Sequence, residues 1–191
     1  MRRLTQLAGT IGLLLIALPA NAAIITWTIE GVITDSPQGN PLEGILPVGT
    51  DVDFLVNIDT NAPDMCPESE VGFYAAPPAS VSFGGNIYTS TGTFFEVNQA
   101  LGSCVGFPGV VARFIFGDPS PFQFVSLGWV GPLGESLPTE PPTDGFFWFA
   151  YVGLEPNVFG EITGSSVVPE PSTVILALSG LVAMRLRRRR R

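Results

Sequence analysis

The residue types that carry most enzyme chemistry are scarce in this chain. Its 191 residues include no His, two Cys and nine basic residues, and every basic residue is an Arg. Without His the chain lacks the usual general base, and without Lys it lacks the amine that forms Schiff bases. Its Ser residues stand in no G-x-S-x-G nucleophile motif. The composition therefore predicts that the protein is not an enzyme.

One short segment brings several oxygen ligands together. Asp59, Asn61 and Asp64 offer the hard side-chain oxygens that Ca²⁺ prefers. The segment is not an EF-hand, because Pro63 takes a ligand position and no Gly follows. Asp, Asn and Pro are also common turn formers. We favour a turn here, keep Ca²⁺ binding as the alternative, and predict no other metal or cofactor.

Aromatic residues are the other candidates for ligand contact. Trp27, Trp129 and Trp148, with the run at 146–149, have rings that stack on sugars in other proteins. They stand in apolar segments, so we expect most of them to belong to the core.

The charges fall into three unlike segments. Residues 23–168 hold 16 acidic residues and one basic residue, Arg113, for a net charge of −15, whereas the other eight arginines lie at the two termini. Nucleic acid is excluded as a partner, because phosphate binding needs Lys or Arg on the contact surface.

The N-terminus has the pattern of an export signal. Arg2 and Arg3 precede the apolar residues 11–18, and Pro19 ends that stretch. The small-x-small pattern at 20–22 predicts cleavage by signal peptidase after Ala22, with Ala23 as the near alternative. We prefer the general secretory route to twin-arginine export, since residues 4–6 fit the twin-arginine pattern poorly.

The C-terminus combines three features in order. The motif at 168–172 contains Val168, Pro169, Glu170 and Pro171. It precedes the apolar residues 173–184, and an Arg-rich cluster fills 185–191. A helix over 173–184 would be about 18 Å long, short against a hydrocarbon core of about 30 Å. The arginines favour the cytoplasmic side. Together with the export signal, the tail predicts a body outside the membrane and an Arg cluster inside.

This tail, over residues 168–191, resembles the PEP-CTERM sorting signal of Gram-negative bacteria. The resemblance implies recognition by a membrane-embedded cysteine protease, the exosortase, followed by processing and release or transfer to the cell surface. Members of that family occur in bacteria that make exopolysaccharide and form biofilms. The family bodies vary widely, so the resemblance implies a route rather than an activity.

The body, residues 23–167, has the alternation of β-strands. Apolar residues occupy every second position in many short segments, and Gly and Pro separate these segments. This pattern predicts a β-sandwich or jelly roll of eight to ten strands, flanked by the signal-peptide helix (1–22) and the short C-terminal helix. The strand candidates are 25–30, 52–58, 79–83, 87–89, 93–97, 110–116, 122–130, 146–152 and 158–167. The Pro-rich segments 59–79 and 131–145 are predicted to be long surface loops.

Cys66 and Cys104 are the only cysteines. An exported protein enters an oxidising compartment, so we expect these two residues to form a disulfide between two loops. A catalytic cysteine is disfavoured, because the chain has no His to activate it.

These observations predict an exported cell-surface or extracellular-matrix protein with a structural or adhesive role, associated with exopolysaccharide. Its expected partners are signal peptidase, the exosortase-like protease and extracellular polysaccharide. A Ca²⁺-assisted carbohydrate-binding module is the alternative. A glycan-acting enzyme is the least favoured, because it needs two carboxylates about 5–9 Å apart, a separation that no sequence motif specifies here.

Overall fold

A computed structural model describes residues 24–66, 71–98, 109–130, 137–151 and 154–168. These ranges contain ten β-strands and no helix. The strands are β1 (Ile24–Asp35), β2 (Asp51–Asp59), β3 (Val71–Ala76), β4 (Ser80–Phe83), β5 (Asn86–Thr89), β6 (Gly92–Asn98), β7 (Gly109–Ile115), β8 (Phe124–Trp129), β9 (Phe146–Tyr151) and β10 (Leu154–Val168). The prediction of an all-β body is confirmed.

Each of the nine strand candidates corresponds to an observed strand. The reason is that successive side chains of an extended strand point to opposite faces, so one buried face gives alternating apolar residues. In β2 every second residue from Val52 to Ile58 is buried, whereas Asp51, Asp53 and Leu55 are exposed. Strand β3 is the one that the sequence did not predict, since it lies in the segment 59–79 that we expected to be a loop. Its Gly and Ala residues hide the alternation, and pairing with β6 along its whole length holds it extended.

All ten strands belong to one antiparallel sheet. Their order across it is β3-β6-β7-β8-β9-β10-β1-β2-β4-β5, and each pair of neighbours is antiparallel. The two longest strands, β1 and β10, lie beside each other near the middle. Their pairing shifts register between Glu30 and Gly31 and again between Ile33 and Asp35. Such irregularities increase local bending and twist.

The sheet curls so that its two halves face each other. Trp27 of β1 packs edge-on against Phe95 of β6 and Trp129 of β8, with ring centroids 6.2 Å apart in both pairs. The ring centroids of Phe54 on β2 and Phe147 on β9 are 5.0 Å apart. These strands are not neighbours in the sheet, so the contacts cross the interior. The core therefore lies between two layers that one continuous sheet supplies.

Two glycines make room for the Phe147 ring near the middle of the sheet. The Phe147 ring lies over Gly160 of β10 and Gly31 of β1 on the inner face. A Cβ at Gly160 would clash with this ring and lie 2.6 Å from the Val32 carbonyl oxygen. Only glycine leaves room for the ring at these positions.

The connection between β1 and β2 covers one end of the core. Leu42 and Leu46 are buried in it, and the Leu46 amide donates to the Leu42 carbonyl over 2.7 Å. The Leu42 amide in turn donates to Oδ1 of Asn40. These bonds fix a compact turn that inserts both leucines.

No helix in the described ranges is long and apolar enough to cross a membrane. The predicted signal peptide (1–22) and the predicted hydrophobic helix (173–184) lie outside the described residues.

Candidate functional site: a groove on the outer face

The strand register places four side chains in a row on the outer face of the sheet. Arg113 of β7 stands opposite Ser126 of β8, Ser126 opposite Trp148 of β9, and Trp148 opposite Phe159 of β10. Neighbouring strands lie about 4.7–4.9 Å apart, so the row spans about 14 Å across the strands. Residues far apart in the chain thus form one continuous surface.

The aromatic run of β9 divides between the two faces. Phe147 and Phe149 are fully buried in the core, whereas Phe146 is 52% exposed and Trp148 is partly exposed. The rings of Phe146 and Trp148 stack with centroids 5.7 Å apart and planes 20° from parallel. Phe146 also covers Gly128 of β8, where an added Cβ would lie 2.8 Å from its ring. The expectation that most of these aromatics are core residues is confirmed for Trp27, Trp129, Phe147 and Phe149.

The outer aromatics line a groove of about 790 Å³. Other apolar residues contribute to its lining, among them Val111, Ile115, Phe124 and Phe159. Phe159 and Phe146 are 39% and 52% exposed, so they are not core residues. A concave apolar surface with a few polar groups is the usual character of a ligand site.

One ion pair lies at the wall of this groove. Nη2 of Arg113 is 3.3 Å from Oε2 of Glu96, and the two side chains are 40% and 7% exposed. The contact is electrostatic, because this Glu96 oxygen makes no hydrogen bond. Burial raises the pKa of Glu96, and the Arg113 charge opposes that rise. Arg113 is the one cation in the described ranges.

Two uncharged polar residues also belong to the lining. These are Ser126, which is 1% exposed, and Asn157, which is partly exposed. An aromatic surface beside the Asn157 amide suits a ligand that has one apolar face and a polar edge.

A second cavity of about 460 Å³ adjoins the groove. The two share Trp129 and Val130, and Glu140 and Asp144 line the second cavity along with several prolines. This part of the predicted loop 131–145 thus contributes an acidic rim beyond the end of β8, as far as residues 137–145 are described.

The predicted calcium ligands serve as turn residues. Oδ1 of Asp59 accepts from the Asn61 amide over 2.9 Å, and Oδ1 of Asp64 accepts from the amides of Cys66 and Phe73 over 2.9 Å each. Within the described ranges no three acidic or Cys side chains cluster as a metal site would require. The turn that we favoured is present at this segment.

The remaining predicted residues lie at the limits of the described ranges. Cys66 is disulfide-bonded, and the one other cysteine of the chain, Cys104, lies outside the described residues. Val168 is the last residue of β10 and pairs with Thr26. Pro169, Glu170 and Pro171 of the sorting motif lie outside the described residues.

Sequence reasoning missed most of the groove. The sequence identified Arg113 as the one basic residue of the body, but no sequence pattern predicted its ion pair with Glu96. Ser126, Asn157 and Phe159 had no signal beyond alternation. Alternation assigns a side chain to a face, whereas the neighbours across that face depend on strand order and register.

A scan with protein-family models, a search of curated proteins and a search of solved structures each returned no match to this chain.

Proposed function

We propose that the chain is an exported, non-enzymatic protein of the cell surface or extracellular matrix that adheres to polysaccharide through the groove on its outer face. Its body is a sandwich-like module built from one curled sheet, and its tail directs exosortase-type sorting. The observation that carries the adhesive role is the stacked pair of Phe146 and Trp148, held partly exposed in a groove.

Part of this ring pair remains open to a ligand. Phe146 is 52% exposed although it stacks on Trp148 and covers Gly128. Aromatic rings bind ligands through their flat faces. A pyranose ring offers a matching C–H face, with hydroxyls at its edge for the nearby polar groups.

The two termini support the export route. The charged and apolar pattern of residues 1–22 suits signal peptidase, and the sequence of motif, apolar stretch and Arg cluster in 168–191 suits an exosortase-like protease. A body of net charge −15 has no attraction for nucleic acid. The sorting resemblance and the groove therefore favour the same surroundings, an extracellular polysaccharide.

Binding is tested with the exported protein and exopolysaccharide purified from the producing cells. The double variant Phe146→Ala/Trp148→Ala should lose at least about tenfold in affinity, since it removes the stacking surface. Ile87→Ala is the matched control, because Ile87 is an exposed apolar residue on strand β5 outside the groove. Circular dichroism confirms that both variants remain folded. Equal binding by the double variant and the native protein would refute the groove as the adhesive surface.

The sorting route is tested by mass spectrometry of the released protein. We expect a C-terminus before Thr173, with the cut at or near Pro169, Glu170 and Pro171. Replacement of these three residues by alanine should leave export intact and trap the protein in the membrane. Recovery of released protein that extends to Arg191 would contradict processing, and normal release of the alanine variant would reduce the motif to a spacer.

A further inference from the structure

We infer that the ligand of the groove is a neutral polysaccharide chain rather than an anionic one. This inference rests on the proposed function, and it specifies the chemical class of the polymer that the groove accepts.

The charge of the groove favours a neutral ligand. Arg113 is the one cation of its lining, and Glu96 lies 3.3 Å from the guanidinium. A carboxylate on a sugar would have to compete with Glu96, whose position in the sheet is fixed by pairing with Phe73 and Val111. Arg113 thus offers hydrogen-bond donors without a net positive charge at the site.

The surroundings of the groove also repel anions. The adjoining cavity carries Glu140 and Asp144 at its rim, and Arg113 is the single basic residue against 16 acidic ones in residues 23–168. A polyanion in the groove would be repelled by the nearby Glu140 and Asp144 and by the overall negative charge of the body. A neutral polymer would experience no such repulsion.

The polar group that the groove presents suits a hydroxyl. Asn157 provides a donor and an acceptor in the lining, whereas Ser126 is buried at 1% exposure. Sugar hydroxyls both donate and accept, so a neutral sugar satisfies such a group without bringing a charge. Phe146 and Trp148, which stack on each other, add apolar ring surface to the same groove.

The geometry suits an extended chain. The row from Arg113 through Trp148 to Phe159 crosses four strands, and the second cavity continues past Trp129 and Val130. The row across the strands and the opening along β8 leave the groove accessible to a polymer rather than enclosing one small molecule.

The test is calorimetric titration of the exported protein with two sets of probes of matched length. The neutral set contains cello-, laminari- and malto-oligosaccharides, and the anionic probe is oligogalacturonate. We expect at least one neutral probe to bind about tenfold more tightly than the anionic probe. Its affinity should change less than about twofold when the salt concentration is raised tenfold, because salt screens only charged interactions. Trp148→Ala should abolish this binding, and Ile87→Ala should not.

The variant Glu96→Gln tests the role of the ion pair. It leaves Arg113 without its counter-charge, so the affinity for oligogalacturonate should rise several-fold at a salt concentration that screens the distant acidic residues. Absence of that gain would show that Glu96 does not set the charge of the groove and would overturn the inference.

The measurements distinguish a wrong ligand class from a wrong binding function. Tighter binding of oligogalacturonate by the native protein, weakened by salt, would overturn the inference and leave the adhesive function standing. Binding of no probe and no exopolysaccharide would overturn both. Self-association that Trp148→Ala abolishes, with no glycan bound, would identify a second copy of the chain as the occupant and would also overturn both.

Discussion

At the scale of single residues, Glu96 is the acidic group whose environment is most unusual among the described residues. Its side chain is 7% exposed although it stands on the outer face of the sheet. Burial raises its pKa above the ordinary value of 4.5, against the opposing effect of Arg113. The nearby charge therefore offsets only part of the cost of burying the carboxylate.

This environment predicts a pH-dependent loss of stability. Because the pKa of Glu96 is higher in the folded state, the folded protein holds the proton more tightly than the unfolded chain does. The contribution of Glu96 to the free energy of unfolding is thus largest below pH 4.5 and is lost as the pH rises through the raised pKa. Chemical denaturation of the native protein and Glu96→Gln across this range measures the effect.

The difference between these two proteins should be small in acid and should shift in favour of Glu96→Gln towards neutral pH. Glu161→Gln is the control, since Glu161 is exposed. A native protein that gains stability relative to Glu96→Gln as the pH rises would contradict the assigned cause.

At the scale of elements, β9, β10 and β1 are in close contact where the Phe147 ring lies against two glycines. The Phe147 ring packs against the backbone of Gly160 and Gly31. The same ring contacts the rings of Phe54 and Phe149 in the core. Alternating sequence alone would have been satisfied by a flatter sheet. The small residues on neighbouring strands let the sheet fold onto itself.

Gly160→Ala should therefore destabilise the protein by about 1–3 kcal/mol, the usual cost of overpacking a filled core. Its Cβ would meet the Phe147 ring and the Val32 carbonyl oxygen. Thermal or denaturant unfolding measures the loss. Gly44→Ala is the matched control, because an added Cβ there has no neighbour within 4 Å. Equal stability of the two variants would show that the bend tolerates a methyl group and that the contact is not a constraint.

At the scale of the whole molecule, a disulfide ties down a segment beside an edge of the sheet. Cys66 follows Asp64, whose carboxylate accepts two backbone amides, one of them from β3. The bond to Cys66 is therefore attached close to an edge strand of the sheet. With Cys104 as the other cysteine of the chain, the crosslink would close a loop of 38 residues.

Loss of that crosslink should cost about 3–4 kcal/mol of stability in the chain-entropy account. Cys66→Ser and Cys104→Ser should lower the denaturation midpoint by similar amounts, and the double variant should cost no more than either single one. Thiol titration of the folded, unreduced protein should find no free thiol. Two titratable thiols in folded, unreduced protein would refute the bond.

The amount that sequence could predict differs between these scales. Alternation located nine strands, because side-chain period is a local property of extended backbone. It missed β3, whose Gly and Ala residues carry little pattern and whose extended state depends on its pairing with β6. The sequence also predicts an export route from the charged and apolar patterns of the two termini. That route remains a prediction, because the signal peptide and most of the sorting tail lie outside the described residues.

By itself the sequence determined that the body is built from strands, and it excluded His- and Lys-dependent chemistry through composition alone. Only the tertiary structure decided that the strands form one curled sheet and that Arg113, Ser126, Trp148 and Phe159 stand in one row. The physical reason is that composition and period are local, whereas strand order and register arise from packing between segments distant in the chain. The groove is a product of that packing.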